Sequence, residues 1–170
     1  MQRIGIYPGT FDPIHDGHVS FALESIKACR LDRVIFIPET MPRKKVSVSP
    51  VKKRLEDIRI KTNQYTELES RLLTSPQFTV ASTLPEIQSL HRNAHLTLLV
   101  GSDVATSLNN WEGVDSLLIA CDIAIGKRSH QSHVELERII ELLDSRHPST
   151  VFTIVHTDYP SHTSSMFRNK

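Results

Sequence analysis

Tyr7-Pro8-Gly9-Thr10-Phe11-Asp12-Pro13-Ile14-His15-Asp16-Gly17-His18 is the stretch that decides how this chain folds. The run Ile4-Gly5-Ile6-Tyr7 leads into it and is short and apolar, as a buried strand is. Beyond it, Val19, Ala22, Ile26 and Cys29 fall three and four residues apart, the spacing of a helix with one apolar face. The turn therefore joins the exit of a first strand to the mouth of a first helix. In open α/β sheets ligands gather outside the carboxyl ends of the strands, and helix N-termini attract anions. Gly17 lets a ligand approach the backbone, and the imidazoles of His15 and His18 can donate to phosphate oxygens. Pro8-Gly9 and Asp12-Pro13 are ordinary turn chemistry taken singly. The whole string in this setting points to a nucleotide-phosphate site.

Working outward, four more runs read as buried strands: Val34 to Ile37, Leu96 to Val100, Ile123 to Ile125, and Val151 to Val155. Helical spacing fills the intervals, through Val51, Leu55 and Ile58, then Leu84, Ile87 and Leu90, then Val134, Leu136, Ile139, Ile140 and Leu143. This alternation predicts an α/β fold, a doubly wound parallel sheet of about five strands with helices on both faces and right-handed crossovers. Glu39 to Pro50 reads as a loop, and Thr66 to Gln77 as an irregular stretch. There is no internal repeat or low-complexity linker, and the composition suits a single domain over residues 1–170.

Three further groups carry chemistry. Arg43, Lys44 and Lys45 follow the second strand at the carboxyl edge, where cations can neutralise phosphate, although such a run also suits a solvated loop. Gly101-Ser102-Asp103 follows the third of these strands, and Asp103 can either accept from ribose hydroxyls or cap the next helix. Ser82 or Thr83 can cap the helix that begins near Leu84. Thr163-Ser164-Ser165-Met166-Phe167-Arg168 reads from its residues alone as a polar tail. Hydroxyls at a helix start followed by Arg168 could equally grip phosphates.

The first of these stretches resembles the signature of the HIGH-motif nucleotidyltransferase superfamily. That superfamily includes the nicotinate-nucleotide and phosphopantetheine adenylyltransferases and the cytidylyltransferases. Phe78, Thr79, Thr83 and Leu84 resemble a segment of the nicotinate-nucleotide enzymes that faces the pyridine nucleotide; Ser82 replaces a usual aspartate. Gly101, Asp103, Leu108 and Trp111 resemble that branch's glycine-x-aspartate segment and downstream tryptophan, but a second tryptophan is absent, with Val114 or Asp115 in its place. Lys44 or Lys45 and then Arg54 resemble a basic loop and helix arginine, with Lys53 where a histidine is usual. Lys127-Arg128 resembles the basic end of the next strand, followed by Ser129-His130 instead of proline-glycine. The last motif resembles the superfamily's C-terminal serine-serine-threonine-x-x-arginine. The chain stops at Lys170, where family members normally continue through a helix, so the resemblance implies an end cut short.

The resemblance implies adenylyl transfer from ATP to nicotinate or nicotinamide mononucleotide, with release of pyrophosphate, in NAD biosynthesis. It assigns His15 and His18 as catalytic. Gly9, Thr10, Phe11, Gly17, Gly101, Asp103, Ser164, Ser165 and Arg168 join them in binding ATP. Lys44 and Lys45 would hold phosphate, and Thr79, Thr83 and Trp111 the mononucleotide. Mg²⁺ would arrive bound mainly through the ATP phosphates, without an identifiable protein ligand. Two alternatives stand beside this expectation. One is phosphopantetheine adenylyltransferase or another superfamily enzyme, disfavoured by His15 and by the Gly101 to Trp111 segment. The other is a non-catalytic nucleotide-binding module, disfavoured by the intact His15, Gly17 and His18.

Composition excludes some classes. A net charge of +1 gives no nucleic-acid footprint. The longest apolar run, Ser116 to Ile125, is broken by Asp122 and is too short to span a bilayer. The first strand begins almost at the N-terminus and leaves no room for a signal peptide. Cys29 and Cys121 form no disulfide framework, and a reduced, cytoplasmic protein is expected. His15-x-x-His18 and His130-x-x-His133 lack the companions of a zinc site, so no metal site is expected. His91, His95, His147 and His156 read as surface or helix-end residues. A homo-oligomer is compatible with the sequence but not specified by it.

Overall fold

The structure is a computed structural model of the chain and describes residues 1–43, 47–127 and 133–157. Its centre is a six-stranded sheet in the order β3-β2-β1-β4-β5-β6, with every neighbouring pair parallel. The strands are β1 (Gln2–Gly9), β2 (Arg33–Pro38), β3 (Leu68–Ser70), β4 (Ala94–Gly101), β5 (Cys121–Lys127) and β6 (Phe152–His156). Helices α1 (Asp16–Cys29), α2 (Val51–Thr62), α3 (Thr83–Leu90), α4 (Ser102–Ala105), α5 (Val114–Ala120) and α6 (His133–Arg146) connect them.

Alternation along the strands builds two cores. Ile4, Ile6, Ile35, Ile37, Leu96, Leu98, Val100, Ile123 and Ile125 pack with apolar residues of α3 to α6. The intervening positions, Tyr7, Val34, Phe36, Leu99 and Ala124, pack with Val19, Phe21 and Ala22 of α1 and Ile58 of α2. Burial on both faces is why the strands read as continuous apolar runs. Helix α1 ends where Arg30 turns left-handed (φ 52°) and the Leu31 amide donates back to the Ile26 carbonyl at 2.9 Å. That closure drops buried Leu31 into the core just before β2.

Six strands replace the five expected. The added β3 lies inside the stretch read as irregular; it is a three-residue edge strand with one buried apolar residue, Leu68. Helix α5 also escaped the sequence reading, because its seven residues run directly into β5 and merge two apolar segments into one. His95 is more than a surface residue. It stands on β4 with Nε2 2.6 Å from the Asp122 carboxylate of β5.

Chain order makes β1 the branch point. The chain moves outward from β1 through β2 to β3, then crosses back to lay β4 on the other side of β1. The carboxyl ends of β1 and β4 therefore flank the topological switch, where ligands bind in open α/β sheets. Ile6 is in register with Leu98, so Gly9 and Gly101, each three residues further on, end their strands level with each other.

Candidate active site

His15 is the N-cap of α1, with extended backbone (φ −139°, ψ 172°), and His18 is the third residue of the helix. The His15 amide donates to Nδ1 of His18 at 3.2 Å. This bond is the N3 half of a capping box, with an imidazole in the place usually taken by glutamate. Because that lone pair accepts an N–H, a neutral His18 ring carries its proton on Nε2. The turn thus fixes both the tautomer and the orientation of the ring. The two imidazoles stack with centroids 3.7 Å apart and planes 25° from parallel. His15 is buried, and the Cε1–Nδ1 edge of its ring lies 3.1 Å from where a Cβ on residue 17 would stand. Gly17 suits this position because a side chain there would crowd the His15 ring and make it give by a few tenths of an ångström.

Aromatic packing supports the turn from below. Phe11 is 2 % exposed, and its ring meets those of Tyr7 (5.1 Å), Phe36 (5.3 Å) and His18 (5.1 Å). Its left-handed backbone (φ 49°) directs the ring inward. The Phe11 ring thus lies beneath the turn, buried among Tyr7, Phe36 and His18.

Arg54 is the residue whose placement the sequence did not reveal. It lies in the first turn of α2 and is 0 % exposed, although its side chain is fully polar at the tip. The guanidinium donates to three backbone carbonyls, Thr10 (2.6 Å), Glu39 (2.8 Å) and Ser49 (2.8 Å). Burial pulls its pKa down, while the carboxylates of Asp12 and Glu39 oppose that shift. A guanidinium has the fork of donors needed to hold several carbonyls at once. Asp12 completes the clamp by accepting the Ser49 amide at 2.9 Å. With three of its donors held by carbonyls and no exposed surface, Arg54 ties the loops together. Lys53 points away and pairs with Asp57 at 2.6 Å on the helix surface.

The second half of the site forms beyond β4. Gly101 is the N-cap of α4, and a Cβ there would stand 2.8 Å from an Asp103 carboxylate oxygen. Gly101 therefore leaves room for the Asp103 carboxylate, and Asp103 is exposed. Thr83 is buried with its hydroxyl fully engaged, accepting the Thr79 amide at 2.8 Å and donating to the Gln77 carbonyl at 3.2 Å. It shapes the segment, and half-buried Thr79 is the threonine with access to solvent. Trp111 is half-buried with its ring tilted 6.1 Å from Phe78. The structure thus brings Thr79 and Trp111 to one packed wall through Phe78. Lys44, Lys45, Arg128, Ser164, Ser165 and Arg168 lie outside the described residues.

Comparison with known proteins agrees with this geometry. Residues 6–170 match the cytidylyltransferase-like family. A Clostridium novyi protein named "Probable nicotinate-nucleotide adenylyltransferase" is 27% identical over 100% of this chain and 87% of its own length. A Dictyoglomus turgidum protein of the same name is 30% identical, over 85% of this chain and 74% of its own. One from Shewanella woodyi is 35% identical over 75% of this chain, and the chain spans 63% of that protein's length. Among solved structures, Plasmodium falciparum nicotinic acid mononucleotide adenylyltransferase complexed with NaAD superposes with a TM-score of 0.74 at 19% identity. The match covers 98% of this chain and 82% of that one. A chain with this strand order, this histidine turn at the switch point and these relatives belongs to the cytidylyltransferase-like family of nucleotidyltransferases, alongside the nicotinate-nucleotide adenylyltransferases.

Proposed function

We propose that this chain joins the AMP part of ATP to nicotinate mononucleotide and releases pyrophosphate, a step of NAD biosynthesis. The observation that carries this reading is the His15–His18 turn at the β1/β4 switch point, with the Nε2 proton of His18 fixed by the His15 amide. The relatives' shared name selects the mononucleotide.

In the reaction a 5′-phosphate oxygen of the mononucleotide attacks the α-phosphorus of ATP. A new P–O bond forms, the bond to the bridging α–β oxygen breaks, and pyrophosphate leaves with that electron pair. The nucleophile is already an anion, so no protein base is needed. What the protein supplies is alignment and charge stabilisation. Alignment of two reactants contributes roughly 7–11 kcal/mol in favourable cases. His18 donates Nε2–H to the phosphate oxygens on which charge builds, and His15 stacks against it and lines the same turn. Gly9, Thr10 and Gly17 present backbone to the phosphates at the start of α1, and Asp103 accepts from a ribose. Thr79 and Trp111 face the mononucleotide. Lys44, Lys45, Ser164, Ser165 and Arg168 hold the leaving phosphates.

Among the described residues no group of three His, Cys, Asp or Glu side chains is placed to hold a metal ion. Mg²⁺ is assigned to the ATP phosphates by the chemistry of the substrate, and there it would offset charge on the leaving group. The test is pyrophosphate release from Mg-ATP with nicotinate mononucleotide, nicotinamide mononucleotide and phosphopantetheine in separate reactions. Release with nicotinate mononucleotide is expected. Release with phosphopantetheine alone would keep the chemistry and overturn the substrate.

A further inference from the structure

The two halves of the site are far apart in sequence, yet one residue touches both. Glu39 follows β2, and its amide donates to the Gly9 carbonyl at 2.9 Å, extending the sheet past the last β1–β2 pair. Its own carbonyl accepts from Arg54 at 2.8 Å, and the same guanidinium holds the Thr10 carbonyl at 2.6 Å. The Glu39 side chain reaches the other way, and Oε1 accepts the Phe78 amide at 2.7 Å. Phe78 in turn packs against Trp111 and precedes Thr79. Two more contacts join the same segments, Met41 amide to Pro76 carbonyl (2.9 Å) and Arg43 Nε to Gln77 Oε1 (3.1 Å). A continuous series of short hydrogen bonds thus runs from the histidine turn through Arg54 and Glu39 to the Phe78–Trp111 wall.

We propose that Glu39 and Arg54 are positioning residues that set the phosphate half of the site against the mononucleotide half. This rests on the adenylyl-transfer reading above. Neither side chain touches a reacting atom; both act through the backbone segments they hold. Direct displacement at phosphorus depends on the distance and line of approach between two bound substrates, so a loosened connection slows the reaction even with each half intact. The arrangement also divides the labour. Arg54 holds the histidine turn directly, whereas the Glu39 side chain carries the connection on to the Phe78 amide, with Arg43 Nη2 donating to the Phe78 carbonyl at 3.5 Å beside it.

Steady-state kinetics of Glu39→Ala, Glu39→Gln and Arg54→Lys against the parent protein test this. Removing the Glu39 acceptor should raise KM for the mononucleotide and lower kcat, for a combined loss of about 10- to 50-fold in kcat/KM. KM for ATP should stay within about twofold, because Arg54 still holds Thr10. Glutamine keeps an acceptor oxygen at the same reach and should recover most of the loss. Arg54→Lys should depress kcat further, since an ammonium cannot hold three carbonyls in one plane. If Arg54→Lys does not fold, the Glu39 pair decides alone. Equal rises in both KM values, or a Gln variant no better than Ala, would overturn the positioning role. So would an active Glu39→Ala with parent kinetics. A parent protein inactive with every pyridine mononucleotide would instead overturn the function, and the positioning role with it.

Discussion

The two ends of this sheet each bury a charged residue, and they use it differently. At the carboxyl end, Arg54 is satisfied by three carbonyls from the β1–α1 and β2–α2 connections, so a single cation fixes the irregular backbone around the histidine turn. At the amino end, buried Asp122 is satisfied by regular elements: Nε2 of His95 on β4 (2.6 Å), the Val151 amide beside β6 (3.1 Å) and the Arg3 guanidinium on β1 (3.6 Å). One network orders loops for chemistry and the other cross-ties strands. The difference teaches that a half-buried histidine beside a carboxylate is not by itself a catalytic sign. Position relative to the switch point separates the two sites, since both contain the residue types of catalysis.

That comparison can be broken by mutation at either end. The largest effect is expected at His18. His18→Ala should lower kcat by roughly 10²–10³-fold, the scale for losing one preorganised transition-state donor. An unchanged kcat in a pyrophosphate-release assay would remove His18 from the chemistry. At the opposite end, Asp122→Ala should leave kcat near the parent value but destabilise the fold by about 1–3 kcal/mol, because it strands the Val151 amide and takes the acceptor from the His95 ring and the Arg3 guanidinium. Chemical denaturation measures this, and a loss of turnover without a loss of stability would erase the contrast drawn here. Gly17→Ala should come next, lowering kcat/KM by about tenfold through displacement of the His15 ring, equivalent to about 1.4 kcal/mol. A Gly17→Ala enzyme with parent kinetics would show that the histidine stack is dispensable.

The smallest effect concerns the cysteines. Burial, helped by Asp122, pushes the Cys121 thiol up to about 12, and burial also raises Cys29. A raised thiol pKa means that the folded state resists forming the thiolate. Stability from Cys121 is thus present below the unfolded thiol's pKa and lost as pH rises through the window from there to about 12. At pH 8 Cys121 should react with a disulfide reagent only on unfolding. Rapid labelling of Cys121 in the native protein would show that the β4–β5 pairing opens more readily than its burial implies.

Legibility from sequence followed contact range. The central strands announced themselves because both faces are buried, and the histidine turn because its working residues are contiguous. Edge strand β3 carries too little apolar sequence to show a period, and α5 is hidden by its fusion to β5. Within the site, Thr83 and Phe11 read as ligand contacts from their motifs, whereas the structure spends their side chains on shaping the turn and the wall. Arg54 resembled a family helix arginine, but its three carbonyl partners lie 5, 15 and 44 residues away, and no local pattern reports such contacts. Glu39 gave no signal at all, since an acidic residue in a loop is usually just a solvated one.

The seam between β1 and β4 has a consequence of its own. One half-sheet, β1 to β3, carries the histidine turn, and the other, β4 to β6, carries Asp103 and leads into Trp111. A dinucleotide lying across the carboxyl end of that seam would act as a staple between them, gripping each half at once. A ligand that binds only the folded state at 100 times its Kd adds about 2.7 kcal/mol to stability. The melting temperature of this protein would then serve as a gauge of how fully its site is occupied.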